Sequence, residues 1–421
     1  MDQQPRILKT PARGPSIKVG ASIGALLLLA SLVLGQSEPK DTGSSSASAP
    51  SLTTLPSLPR PGLLPGGAIF DTPTVLDFHV ELGPTNLQFL RTHPREYTPA
   101  RVVVNGKTYA DVGVKLKGAA GSFRSVDDHP AMTLSFSKFA ERARFYGLSR
   151  IHLNNSVQDP TRMNEYIGSE LFRAAGVPTP RVAWATVRLN DRDLGLYVLK
   201  EAFEKEFLRI YFGSSKGNLY DGGFLRDIDQ DLNRESGAGK PDGADLTKLR
   251  EAVNEKDHAK RWERLHQILD VDNFITYAAL SVMLADWDGY PLNRNNYRIY
   301  FRPHDGRAVF MPHGMDQLFQ RSNMELDASW QGSVAWALFS NPQGLGLYEA
   351  RCRQVFTNLF SLAYLTNRVA ELSQVLAKAD PDIPNHADDL IHQMQSRHRT
   401  LRRDPFIQPP PPVTNNAAVK P

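Results

Sequence analysis

Between residues 286 and 319 the chain sets out an acid, a run of amides, a β-hairpin and a second acid, in that order. Asp288 comes first, followed by Asn293, Asn295 and Asn296. Residues 297–302 alternate in strand fashion, His304, Asp305 and Gly306 supply turn chemistry, and residues 308–312 read as the return strand. Asp316 stands just past that strand. Upstream, the spacing of Phe274, Tyr277, Ala278 and Leu284 predicts a helix over 272–286 that delivers Asp288 to the start of a loop. This order suits metal-assisted phosphoryl transfer, in which one carboxylate orients an attacking hydroxyl while a second, with an amide oxygen, holds a divalent cation.

In protein kinases the first acid and the amide ligand are spaced Asp-x-x-x-x-Asn. That count selects Asn293, with Asn295 and Asn296 as competing candidates.

The rest of the composition narrows the class. With 421 residues, 41% hydrophobic and 22% charged, the chain has enough apolar material for one large domain or two modest ones. A formal charge of +4, with bases and acids interspersed, leaves no electrostatic footprint for nucleic acid. The lone cysteine, Cys352, excludes an intrachain disulfide and any zinc site built on several cysteines.

The ends read differently from the middle. Arg6, Lys9, Arg13 and Lys18 precede an apolar run over 19–35, which is the pattern of an export signal: an uncleaved anchor, or a signal peptide ending near Gly35. Either places the remainder across a membrane. Residues 36–67, rich in Ser and Pro, form a tether that cannot build a core, and the segment 405–421 with its four consecutive prolines is a polyproline-like tail.

Folding is expected from about residue 68, opening with strands at 70–80, 100–104 and 109–118. A small-residue loop containing Gly118 and Gly121 then joins Lys117 to a strand at 131–136, and such a loop can bring backbone amides close to phosphates. A helix over 161–175, stopped by Gly176 and Pro178, offers Glu165 or Glu170 as partner for a phosphate-binding lysine. A hairpin follows at 181–189 and 194–200, and Glu201 with Ala202 can present backbone groups to a purine. Asp227, Asp229 and Asp231 begin like an EF-hand loop, but Leu232 and Ala238 occupy the positions that need Gly and Glu. Residues 237–242 lack the first Gly and the Ser or Thr of a phosphate-binding Walker loop.

Several blocks in order, 113–118, 145–155, 170–180, 194–201, 217–220, 287–290, 295–297 and 310–316, resemble the CotH (spore coat protein H) kinase family over residues 70–330. The resemblance implies an α+β, atypical protein-kinase-like bilobal fold over 68–330, with 331–404 as a helical C-terminal extension. It implies an exported enzyme that uses ATP with Mg2+ or Mn2+ to phosphorylate Ser or Thr hydroxyls of envelope or surface proteins. On the same basis Asp288 looks like the catalytic acid, with Asn296 and Asp316 as metal ligands, and Lys117 and Glu165 as the phosphate-facing pair. Members commonly have Lys where this chain has His129, and often Trp where it has His313. Loss of a cation at 129 would favour the alternative of an inactive kinase-like module that binds a protein partner.

Overall fold

The computed structural model describes residues 64–119 and 121–408. The expected leader at 1–35, nearly all of the tether, and the tail from Pro409 lie outside the described residues. Among the described residues no helix is long and apolar enough to cross a membrane.

Seven strands form a closed barrel: β1 (Val75–Glu81), β2 (Thr98–Val104), β3 (Lys107–Leu116), β4 (Met132–Ser135), β5 (Arg150–Asn154), β6 (Val182–Leu189) and β7 (Arg192–Glu201). Their order is β1-β2-β3-β4-β5-β7-β6. Every pairing is antiparallel except the one that closes the ring, where β1 runs parallel to β6 with Val75 opposite Trp184. Strand alternation divides the side chains between two cores. Odd positions of β6 and β7 such as Ala183, Ala185, Tyr197 and Leu199 fill the barrel, while Val182, Trp184, Leu196 and Val198 face outward into a second cluster.

That second cluster belongs to the helices. Two short ones, α1 (Gly67–Phe70) and α2 (Pro84–Thr92), flank the barrel, and α3 (Asn164–Ala174) packs on its outer wall, with Tyr166 stacked on Trp184 at 4.6 Å between ring centres. After the barrel come α4 (Lys205–Phe212), α5 (Ala244–Asn254), α6 (His258–Ile268), α7 (Val271–Met283), α8 (Tyr290–Asn293), α9 (Ser333–Phe339), α10 (Pro342–Leu359), α11 (Leu362–Leu376) and α12 (Ile383–Arg403). Between them runs an antiparallel sheet ordered β11-β10-β8-β9, from β8 (Asn218–Asp221), β9 (Asn233–Ser236), β10 (Tyr297–Phe301) and β11 (Ala308–Pro312). The fold is therefore α+β with two large cores inside one compact unit.

Helix α7 departs from its expected amphipathic form. Every residue from Phe274 to Met283 is buried, because α3, α10, α8 and β11 all pack against it. The segment 331–404 is not set apart either: Val334, Tyr348, Leu365, Leu390 and Leu401 share one core with Ile167 of α3 and Phe274 of α7. Arg397 on α12 shows how tight this junction is. Fully buried, it donates to the carbonyls of Val282 (2.7 Å) and Met283 (2.9 Å) at the end of α7, and to Ser322 (3.3 Å) and Met324 further on. A cation there also suits the negative end of the helix dipole. The Arg397→Met variant takes the arginine's donors from all four carbonyls, of which Val282 keeps the Ala285 amide, and a loss of roughly 3–5 kcal/mol is expected in urea unfolding. A loss below about 1 kcal/mol would show that water takes over the arginine's role.

Candidate functional site

The end of α7 sets up the site. Ala285 adopts a left-handed backbone (φ 54°), which turns the chain out of the helix and into a loop carrying Asp288. Three amide side chains converge on that carboxylate. Asn293 Nδ2 donates to Oδ1 at 2.6 Å, while Asn295 and Asn296 donate to Oδ2 at 3.0 and 2.8 Å. The amide oxygens of the three asparagines are thereby left for other partners. Asn296 alone abuts the next segment: its carbonyl accepts from His313 N–H at 2.8 Å, and a Cβ at Gly314 would stand 2.6 Å from its Oδ1. Gly314 also has φ +60°, so a side chain is disfavoured there on both counts.

Asp316 lies two residues further on. Burial, reinforced by the negative charges of Glu165 and Asp159, pushes its carboxyl up to about 7. Its backbone carbonyl accepts from Asn164 Nδ2 at 3.0 Å, which fixes the segment against the first turn of α3. That turn is capped by Asp159: its Oδ2 accepts from Asn164 N–H and its Oδ1 from Thr161 N–H, both at 3.0 Å.

Opposite these residues, the barrel supplies a ceiling. Glu165 is buried, and its Oε1 accepts from Lys200 Nζ at 2.6 Å and from Met315 N–H at 3.1 Å. Its Oε2 accepts from Asn154 Nδ2 at 2.8 Å, and Asn154 Oδ1 in turn accepts from the Lys117 ammonium. Burial pushes the Glu165 carboxyl up, but Lys200, Lys117 and the Met315 amide overcome this and hold it below its usual range. Burial lowers Lys117 to about 8, with Glu165 only partly compensating.

Floor and ceiling enclose a cleft of about 870 Å³, within the range of small-molecule sites. Its lining includes Lys117, Gly118, Glu165, Asp288, Asn293, Asn296 and Asp316, and also the competing Asn295. Gly118 has φ +104°, and a Cβ would meet the backbone of Phe123 at 3.0 Å, so the loop needs glycine at its first position.

Other expectations are corrected. Gly121 does not line the cleft; it has φ +85° and faces Gln158. Glu201 points the opposite way from Lys200, as neighbours on a strand must, and its carboxylate is held by Arg181 at 2.6 Å. Its N–H is taken by the Arg181 carbonyl, so Ala202, Phe203 and Glu204 line the cleft in its place. Glu170 pairs with Arg368 of α11 at 2.6 Å, leaving Glu165 as the helix's contribution. Lys117 reaches Glu165 only through Asn154; the direct ion pair belongs to Lys200. His129 lies outside the cleft lining, with its ring 4.8 Å from that of Tyr197.

A family model described as CotH kinase protein matches residues 121–390. The chain belongs to this family. It is 24% identical over 242 residues to the inner spore coat protein H of Bacillus subtilis, covering 53% of this chain and 62% of that protein. To the invasin CotH3 of Rhizopus delemar it is 24% identical over 257 residues, 53% of this chain and 43% of the invasin. The matches thus span less than two thirds of either relative. Among solved structures, the Helicobacter pylori proinflammatory kinase CtkA is covered over 93% of its length and 65% of this chain, at 10% identity and a TM-score of 0.31. A Golgi casein kinase solved with Mn/ADP bound is similar over 78% of this chain and 73% of its own length, at 8% identity and a TM-score of 0.29.

Sequence reasoning missed Lys200 and Asn154 as members of the site, although both lie in blocks that carry the resemblance. The signal for Lys200 was parity: in a strand alternating Leu196, Val198, Lys200 on one face, the lysine must meet whatever that face packs on, which is α3.

Replacing Lys200 by Met strands a buried carboxylate, so a loss of about 3–5 kcal/mol is expected in denaturant unfolding, mostly recovered in a Lys200→Met, Glu165→Gln double variant. Equal losses in the single and double variants would show that the charge itself is not what the pair supports.

His152 gives a pH dependence. Partly buried on β5, with Nδ1 3.0 Å from Thr133 Oγ1, it is held well below its usual range by burial and by Lys117, Arg150 and Lys200. In acid below about pH 6.5 the unfolded chain takes up a proton that the folded chain refuses, so this group makes stability fall as pH falls, by at most about 1.4 kcal/mol per pH unit. Asp316, raised in the fold, contributes with the opposite sign. The difference isolates the histidine: His152→Gln is expected to lose up to one proton's worth of slope between pH 7.5 and 5.5. Parallel slopes in parent and variant would refute it.

Proposed function

We propose that the chain is an atypical protein kinase that transfers the γ-phosphoryl group of ATP to Ser or Thr hydroxyls of surface or envelope proteins. The observation that carries this reading is the opposition, across one cleft, of an Asp288 carboxylate oriented by three amides and a Lys117 ammonium with its Gly118 loop, with Asp316 alongside. Membership of the CotH kinase protein family supports it.

The donor set fits a hard divalent cation. Among the described residues no group of three or more His, Cys, Asp or Glu side chains is arranged to hold a metal. Mg2+ and Mn2+ do not need one, because they accept one or two protein carboxylates completed by amide oxygens, waters and phosphates. Asp316 and the Asn296 amide oxygen are the pair best placed to serve, with Asn293 as second amide. A metal bound there would neutralise charge on the β- and γ-phosphates.

The protein's own contribution is orientation. Asp288 accepts the proton of the attacking hydroxyl as its oxygen bonds to the γ-phosphorus and the bond to the β-phosphate oxygen breaks; Lys117 and the Gly118 loop hold the phosphates in line. Glu165 keeps Lys117 in place through Asn154. The alternative of a non-catalytic binding module draws on His129, which stacks near Tyr197 outside the cleft lining, and on the scarcity of ATP outside the cytoplasm; nucleotide binding and phosphate transfer separate the two readings.

The basic and apolar amino-terminal segment, and relatives that bear the names of a spore coat protein and an invasin, support a location outside the cytoplasm.

Transfer of labelled γ-phosphate to protein, with Mg2+ or Mn2+, tests the reading. Asp288→Asn is expected to lower kcat by roughly 100- to 10,000-fold while keeping the nucleotide-plus-metal thermal shift, and Asp316→Asn to abolish that shift. Undiminished transfer in Asp288→Asn would remove its assigned role, and no transfer or nucleotide-induced shift in the parent would overturn the kinase reading.

A further inference from the structure

Beyond the residues assigned to phosphate and hydroxyl, the cleft carries a second concentration of charge at its rim. Lys115 projects from the same face of β3 as Lys117, one strand repeat away, roughly 7 Å along the chain. Its ammonium lies 4.9 Å from the ring centre of Tyr97, and around the same ring stand Lys138 at 5.6 Å and the Arg150 guanidinium at 5.9 Å. Arg95 completes the group, anchored on the Gly118 carbonyl at 2.6 Å and stacked over Phe123. Arg95, Lys115 and Arg150 line the cleft; Arg95 and Lys138 are exposed.

The carboxylates nearby are already engaged. Glu204 pairs with Arg150 at 2.6 Å, and Glu235, across the cleft, pairs with Arg298 at 3.2 Å. Lys115 and Lys138 make no ion pair among the described residues, and the Tyr97 hydroxyl and Arg150 Nε are buried without hydrogen-bond partners at the same place. Four cations thus stand near two acids, Glu204 and Glu235, neither of which pairs with Lys115 or Lys138. Structural cations are ordinarily neutralised, as Arg181, Lys200 and Arg351 are here by Glu201, Glu165 and Asp272. A nucleotide does not use this cluster for its phosphates, since those belong with Lys117, Gly118 and Asp316. The cluster runs from the cleft lining at Lys115 and Arg150 to the exposed side chains of Arg95 and Lys138.

We propose that Arg95, Lys115, Lys138 and Arg150 form a recognition subsite for an anionic side chain of the protein substrate, a carboxylate or a phosphoryl group, a few residues from the acceptor hydroxyl. The subsite selects acidic or already phosphorylated segments, and it rests on the kinase reading for the identity of the acceptor but not for the binding itself.

The test uses the full chain and short labelled Ser peptides, identical except that one position, moved along the peptide, is Glu, phosphoserine or Gln. Binding is read by fluorescence anisotropy and phosphate transfer is read in parallel. The parent is expected to bind the best-placed Glu or phosphoserine peptide about tenfold more tightly than its Gln counterpart. That preference should weaken with salt and be lost in a Lys115→Gln, Lys138→Gln double variant, which should bind the Gln peptide as the parent does. A phosphoserine preference above that for Glu would define the subsite as one for primed substrates. Equal binding of all three peptides at every position, or an unchanged preference in the double variant, overturns the proposal. Preferential binding without any phosphate transfer would uphold the subsite and overturn the kinase reading instead.

Discussion

The Glu165 carboxylate is the interaction on which the site's geometry depends. Taking such a charge out of water costs several kcal/mol even after relaxation. The fold offsets this with the Lys200 ammonium, the Met315 amide and the Asn154 side chain, each from a different element. Those partners are the last outward residue of β7, the residue before Asp316, and the end of β5. One buried charge therefore fixes the relative positions of ceiling, helix and metal-facing segment. If any of them shifts, the charge loses a partner in a low-dielectric interior, so the arrangement is cooperative.

Helix α3 performs this role through two successive residues. Asn164 grips the Asp316 carbonyl while Glu165 grips the Met315 amide. Gly168, one turn on, lets Met315 and Leu318 approach: a Cβ there would stand 2.8 Å from Leu318 Cδ1. On the far side, Arg397 fastens the carbonyls that end α7 to the segment around Met324. The two acids thus sit between clamps drawn from the barrel side and from α12, which is why residues after 330 cannot be separated from the site.

Much of this was legible because the decisive elements are local. The hairpin expected at 297–302 and 308–312 is β10 and β11 within a residue, the helix expected at 161–175 is α3 with both ends shorter, and that expected at 272–286 is α7, which starts one residue earlier and ends three residues sooner. Alternation and capping act over a few residues and leave a mark in the sequence. What stayed hidden depends on distant partners. Closure of the barrel joins β1 to β6 across more than a hundred residues, and nothing in either strand names the other. Lys200 and Glu201 are adjacent charged residues at a strand end; which of them meets Glu165 depends on which face covers the barrel interior. The choice among Asn293, Asn295 and Asn296 could not be made from spacing because all three converge on one carboxylate.

The same burial that orders the cleft also reduces its charge. Desolvation brings Lys117 down to about 8 and Asp316 up to about 7, so near neutral pH the acid is only partly ionised and the lysine has lost much of its margin. An anionic group beside Lys117 favours the protonated ammonium, and a cation beside Asp316 favours the ionised carboxylate. A ligand carrying both, as a metal-bound nucleotide does, restores both charges at once. Each half then strengthens binding of the other, because the two titrating groups share the field around Glu165. On the proposed reading, nucleotide and metal are held as a unit for an electrostatic reason already present in the fold, without requiring any residue to move.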